Sequence, residues 1–136
     1  MFIDLHPLVI HFPIALLSSA ILFDFIGIIF NNKELLVTSW WVMLLALISS
    51  SGAIITGFID DDLIGHFNNT FPIWKNHGLI QIISLISFSS LFVWRTKQIG
   101  LFHSIKLVWI YLLLSLINVV TLFYGAHLGA QLAGRI

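Results

Sequence analysis

The chain is expected to fold as an all-α membrane protein, a four-transmembrane-helix bundle with both termini outside, on the periplasmic side. Three observations lead there. Of its residues 59% are hydrophobic and only 9% are charged, with a mean hydropathy of +1.04, whereas a soluble domain carries roughly 25% charge. Four apolar stretches each reach the ~20 residues that a helix needs to cross a ~30 Å hydrocarbon core. The cations, finally, gather in the two connections that a four-helix chain must place on one side. With 136 residues there is room for a single domain and no more.

The hydropathy maxima place the helices at about 7–30, 36–59, 72–95 and 104–130. In lipid every backbone N–H and C=O must find its partner within the protein, so each stretch closes on itself as a helix. Short connections then make successive helices antiparallel neighbours. The N-terminus has no basic region before its apolar run, Asp4 being the only acid or base ahead of Asp24. The first helix is therefore expected to span the membrane in the mature protein and not to act as a cleaved secretory signal.

Helix 1 opens HPLVIHFPIAL. Pro7 suits a first helical position, where its missing N–H costs nothing, and leaves His6 near the cap. Pro13 lies deeper; it removes a hydrogen bond and presses on the carbonyl of residue 9, so a kink or local unwinding around His11 is expected. Five residues separate His6 from His11, about 140° around a regular helix, so the two do not share one metal from an undistorted turn. Further along, Asp24 is an isolated carboxylate in apolar sequence and is expected to be neutral or hydrogen-bonded. Ser19, Ser50, Ser51, Asn118 and Thr121 are its candidate partners, and an interhelical structural bond is favoured over a proton relay.

Helix 2 ends at Asp60-Asp61-Asp62, read as a solvated terminus in which Asp60, just after Thr56-Gly57, could orient a histidine through a hydrogen bond. Asn68, Asn69, Thr70 and Pro72 form the start signal of helix 3. His77 is then expected a turn or so inside, with Gln81 on the same face four residues later. Its neighbour Gly78 permits close approach of a planar group or another helix. In helix 4, Gly125, Gly129 and Ala130 make a similarly thin wall around His127, with Tyr124 one turn before it. That spacing is equally compatible with plain tight helix packing.

Lys33 lies in one odd-numbered connection, and Arg95, Lys97 and Lys106 in the other. The opposite side carries Asp4, Asp60, Asp61 and Asp62 against Lys75 and Arg135. The cation bias puts both termini outside the cytoplasm. His6, His11, Asp60, His66, His77 and His127 are thereby gathered at one outer level, with His66 and His103 read as solvated loop residues.

The absence of cysteine excludes disulfides, thiolate metal sites, iron–sulfur clusters and covalent c-type haem. A net charge of zero with no basic face argues against nucleic acid. The remaining strong ligands are imidazole and carboxylate. Four outer histidines, His6, His11, His77 and His127, suit a non-covalent haem b, which takes two axial imidazoles from different helices. The axial candidates are His77 with His127 or His11, walled by Trp74, Phe12 and Phe123. Lys75 or Arg135 would meet the propionates, and Asp60, Gln81 and Tyr124 would support the ligands. Two readings stand beside electron transfer through haem. One is a zinc, copper or iron site built from the histidines and Asp60. The other is a non-redox scaffold subunit whose histidines bond carbonyls. Asp24 and Asn118 are the expected buried polar groups.

HPLVIHFPIAL, Asp24, TGFID at 56–60, His77 and GAHLGA near the C-terminus resemble the uncharacterised bacterial membrane family DUF2231, and the resemblance covers nearly the whole chain. It implies a four-helix domain of the bacterial inner membrane. Some members are joined to cytochrome c or Rieske-type carriers, which implies a redox setting. This chain has no such domain, so its expected partners are the lipid bilayer, a separate periplasmic cytochrome c or Rieske-type protein, and further copies of itself. It departs from the family pattern at Ala130, where a second glycine is common.

Overall fold

A computed structural model describes residues 5–64, 73–132 and 134, with side chains over 9–59, 74–131 and 134. It is built of α1 (Leu5–Ile29), α2 (Lys33–Ile64), α3 (His77–Lys97) and α4 (Ile105–Leu132), with 3₁₀ turns at Ile73–Lys75 and Leu101–His103. Each of the four helices is long and apolar enough to cross a membrane, and the described residues contain no strand. The all-helical four-span architecture is as expected.

Helix ends differ from the hydropathy limits where capping chemistry intervenes. The α1–α2 turn is shorter than the apolar gap suggested. Asn31 adopts a left-handed conformation (φ 48°), and the Asn32 side chain accepts from the N–H groups of Glu34 and Leu35 at 3.0 and 3.2 Å. Two orphan donors are thereby satisfied and α2 can begin at Lys33. At its other end α2 continues through the aspartates to Ile64. The start of α3 is later than expected because Asn76 caps it, accepting from Leu79 N–H at 3.1 Å. His77 is thus the first residue of the helix and not a turn inside it; the predicted signal at 68–72 lies outside the described residues. α1 is continuous through Pro13, so the expected unwinding does not occur.

α1 packs most extensively on α2, and α3 on α4. The central cluster draws on all four helices: Leu17, Ala20 and Ile21 from α1, Met43 and Ala46 from α2, Phe88 from α3 and Leu122 from α4. Large apolar side chains such as Leu22, Trp41, Ile48 and Leu113 point outward. In lipid such exposure carries no penalty, and close packing with interhelical hydrogen bonds takes over as the associating force. Gly27 illustrates the packing: a Cβ there would lie 2.9 Å from Leu36 Cδ2.

A second cluster closes the hairpin end, where the α1–α2 and α3–α4 connections lie. Gly100, at φ 87°, turns the chain back so that Leu101 is buried against Leu91 and Tyr111. Such a φ is cheap for glycine and costly for a residue with a Cβ. Between α2 and α3, Trp40 Nε1 donates to Thr96 Oγ1 at 2.9 Å.

Candidate functional site

Polar chemistry concentrates at the two ends of the bundle. At the termini end, the cap on α3 brings His77 against α4. Its Nδ1 lies 2.6 Å from Gly125 O. A carbonyl can only accept, so the proton of this bond is on Nδ1. An added Cβ at Gly129 would stand 2.7 Å from His77 Cε1 and 3.1 Å from Nε2. At Gly125 it would stand 2.9 Å from Gln81 Nε2 and from Ile80 Cγ2. The two glycines are therefore the seats of His77 and Gln81, one helical turn apart on each side.

The other candidates are more dispersed. Tyr124 OH donates to Trp74 O at 2.9 Å, tying α4 to the 3₁₀ turn before α3. His127 is exposed and its Nε2 lies 3.2 Å from Gln131 Nε2 on the same helix. His11 is exposed too, and so is His103, as expected of a loop residue. Phe12, Trp74 and Phe123 are 65%, 65% and 51% exposed, so they stand on the outer surface and do not enclose a cavity. The side chains of His6 and Asp60, together with His66 and Arg135, lie outside the described residues. Among the described residues no group of three or more His, Asp or Glu is placed to hold a metal ion.

The hairpin end holds the densest polar arrangement. Asp24 is fully buried, and Arg95 Nη1 donates to its Oδ2 at 2.7 Å. The same Nη1 lies 3.0 Å from Ser39 Oγ and 3.4 Å from Tyr111 OH, while Nη2 donates to Leu36 O at 2.6 Å. Tyr111 OH donates to Asp24 Oδ2 at 2.7 Å, and Ser39 Oγ to Ala20 O at 2.7 Å. Phe102 lies beneath the guanidinium, 5.2 Å from its centre. One ion pair, hydrogen-bonded through Asp24 Oδ2 and both Arg95 Nη atoms, thus joins α1, α2, α3 and α4. Hydrogen bonds to the guanidinium and to Oδ2 offset part of the cost of burying the two charges.

This centre corrects two sequence expectations. Asp24 does not bond Ser19, Ser50, Ser51, Asn118 or Thr121. Ser50, Ser51 and Thr121 instead satisfy their hydroxyls on the carbonyls four residues earlier in their own helices. Arg95 is not a cation of the connection; it lies in the last turn of α3 and is 7% exposed. Asn118 is buried as expected. Sequence reasoning missed Arg95, Tyr111 and Ser39 because an arginine at the edge of an apolar run reads as a loop charge. A signal existed: Arg95 follows His77 by eighteen residues, about five turns at ~3.6 residues each, so both occupy one face. Tyr111 precedes Gly129 by the same interval.

A family model described as Predicted membrane protein (DUF2231) matches residues 3–136. No curated protein and no solved structure matches the chain.

Proposed function

We propose, from the premise that this chain belongs to the DUF2231 family of predicted membrane proteins, that it is a membrane-embedded b-type haem protein serving electron transfer. The observation that carries the reading is the bond from His77 Nδ1–H to Gly125 O. Imidazoles that ligate a metal are commonly held through their other nitrogen by a carbonyl or carboxylate, which fixes the tautomer and aims the lone pair. His77 is oriented in that way, its ring seated against Gly129 of α4. In this reading His77 would be one ligand of the haem iron and His127 or His11 the other. The haem contributes one-electron chemistry when bound. The protein's share is to hold the His77 ring and to keep Nε2 basic through the Gly125 carbonyl.

The loop cations support an orientation in the bacterial inner membrane with both termini in the periplasm. Lys33, Lys97 and Lys106 remain exposed at the hairpin end, and the rule that cations stay cytoplasmic survives the loss of Arg95 from the count. The electron partner is then a separate periplasmic carrier of cytochrome c or Rieske type.

The deciding experiment is the visible spectrum of detergent-purified protein, oxidised and dithionite-reduced, with a pyridine haemochrome assay. A Soret band with sharp reduced α and β bands, lost in His77→Ala, is expected. Colourless protein from haem-sufficient cells would sink the proposal.

A second reading has its own support. The His77 ring seated on Gly129 and bonded to a carbonyl is also what a structural clamp looks like, as in a non-redox scaffold subunit. That reading requires His77→Gln to leave every property except stability unchanged. A non-haem zinc, copper or iron site has less behind it, because the described residues bring no three ligands together. Elemental analysis of colourless protein tests it.

A further inference from the structure

The interior faces of α3 and α4 carry a line of polar groups that the haem reading does not use. On α3 the positions 77, 84, 88, 91 and 95 share one face, and on α4 the positions 111, 115, 118, 122, 125 and 129 do. Ser84, Ser115 and Asn118 are 1%, 0% and 7% exposed. Ser84 Oγ, Ser115 Oγ and Asp24 Oδ1 are completely buried and have no hydrogen-bond partner among the described residues. This is unusual within the molecule. Ser18, Ser50, Ser90 and Thr121 all turn their hydroxyls onto the carbonyl four residues back. Ser84 and Ser115 forgo that bond and aim elsewhere.

The contacts of Gly125 with Gln81 and of Gly129 with His77 set the register of α3 on α4 and put Ser84 level with residue 122. At about 1.5 Å per residue, Ser115 then lies some 6 Å beyond Tyr111, Asn118 about 4.5 Å further, and Ser84 about 6 Å beyond that. Each step is within reach of one or two water molecules, which bridge buried polar groups that lack protein partners. The hairpin end is closed by Leu101, 1% exposed, and by Phe102 beneath Arg95. Beyond Ser84 the same two faces lead to Gln81 and His77 at the termini end.

We propose that a file of ordered water runs from the His77–Gln81 end past Ser84, Asn118 and Ser115 to Asp24 Oδ1, making Asp24 a proton-exchange site reached from the termini side of the membrane. A proton enters at the termini end, each water takes one proton and passes one on, and the last breaks an O–H bond as Oδ1–H forms, so the file ends as it began with one proton added to Asp24. Arg95 on α3 stays a guanidinium, Tyr111 on α4 keeps its hydroxyl proton, and α2 presents only Ser39 and the Leu36 carbonyl. The site passes from neutral to one positive charge, so Asp24 exchanges protons and does not store them. The proposal is independent of whether haem binds.

The chain has no cysteine, so single-cysteine variants are unambiguous probes. Ser84→Cys and Ser115→Cys, with Met43→Cys and Ser90→Cys as controls, would be reconstituted in phosphatidylcholine vesicles and exposed to silver ion, which is small enough to follow a file of water. Protection of each thiol from later alkylation in detergent is the readout. Met43 is fully buried among apolar groups and Ser90 is exposed on the outside of α3. A thiol reacts only as thiolate in contact with water, so silver should protect positions 84 and 115 at least about tenfold faster than 43 and 90. Equal inertness at all four positions overturns the path. Infrared spectra at acid pH supply the second measurement, on the carboxylic C=O band of protonated Asp24, which Asp24→Asn removes. Its shift on transfer to D₂O should be slowed by Ser84→Leu or Ser115→Leu and not by Ser90→Leu. An unslowed shift overturns the proton route even if the thiols react.

Discussion

Arg95 Nη1 sits 2.7 Å from Asp24 Oδ2, with the two side chains 3% and 0% exposed. Seventy-one residues of chain separate them, and the bond fastens the last turn of α3 to the last turns of α1. Removing one partner strands the other charge in the interior, which costs about 3–5 kcal/mol. Asp24→Asn and Arg95→Met should each be destabilising on that scale. The double variant Asp24→Leu/Arg95→Met should be closer to wild type than the worse single variant, because apolar replacement of both partners removes the desolvation problem. Reversible unfolding in mixed micelles checks this; additive losses would refute the pairwise account.

Tyr111 shares Asp24 Oδ2 with Arg95 and packs its ring against Trp94 and Phe102. Tyr111→Phe keeps the ring contacts and deletes one hydrogen bond to a charged acceptor, a loss of about 1.5–3 kcal/mol. A double-mutant cycle with Asp24→Asn should show coupling between the two. Its absence would mean that Tyr111 contributes through its ring alone.

The seat of His77 predicts a size-dependent response at residue 129. A Cβ there meets the imidazole at 2.7 Å, so Gly129→Ala should cost about 1–3 kcal/mol through overpacking and a displaced ring. His77→Ala should largely rescue Gly129→Ala, because it removes the atoms that clash. If no rescue is seen, the helix backbone and not the ring limits the approach.

Asn32 should behave as a helix cap. Its side chain accepts from two N–H groups at the start of α2, and Asn32→Ala should cost about 0.5–2 kcal/mol, with Asn32→Asp close to neutral. Unfolding free energies of the three proteins decide it.

The proposed orientation is testable without a cofactor. In cells carrying Lys106→Cys, the thiol should be shielded from a membrane-impermeant maleimide until the inner membrane is disrupted, whereas a cysteine at Gly134 should react at once. The reverse pattern would place the termini in the cytoplasm and overturn the outward-facing site.

The helical architecture was legible because its causes are local. Hydropathy and span length are properties of consecutive residues, so the four helices appear in the sequence, with the starts of α2 and α3 displaced where Asn32 and Asn76 cap them and the end of α2 carried on to Ile64. Asp24 stood out for the same reason, as a lone carboxylate in apolar sequence. Its partner was hidden because Arg95 lies at the margin of a hydropathy window, where the same residue can face solvent or reach into the bundle. Likewise, GAHLGA drew attention to His127, but it is the neighbouring glycines that receive the His77 ring, while His127 is exposed.

The sequence by itself determined that this is a membrane chain of four helices, because apolar length and the obligation to pair every backbone group in lipid admit little else. Only the tertiary structure decided that Asp24 pairs with Arg95 and Tyr111 and that His77 bonds Gly125. Those choices depend on the rotation and depth of each helix against its neighbours, and side-chain reach across an interface is a property of the packed bundle that no single helix encodes.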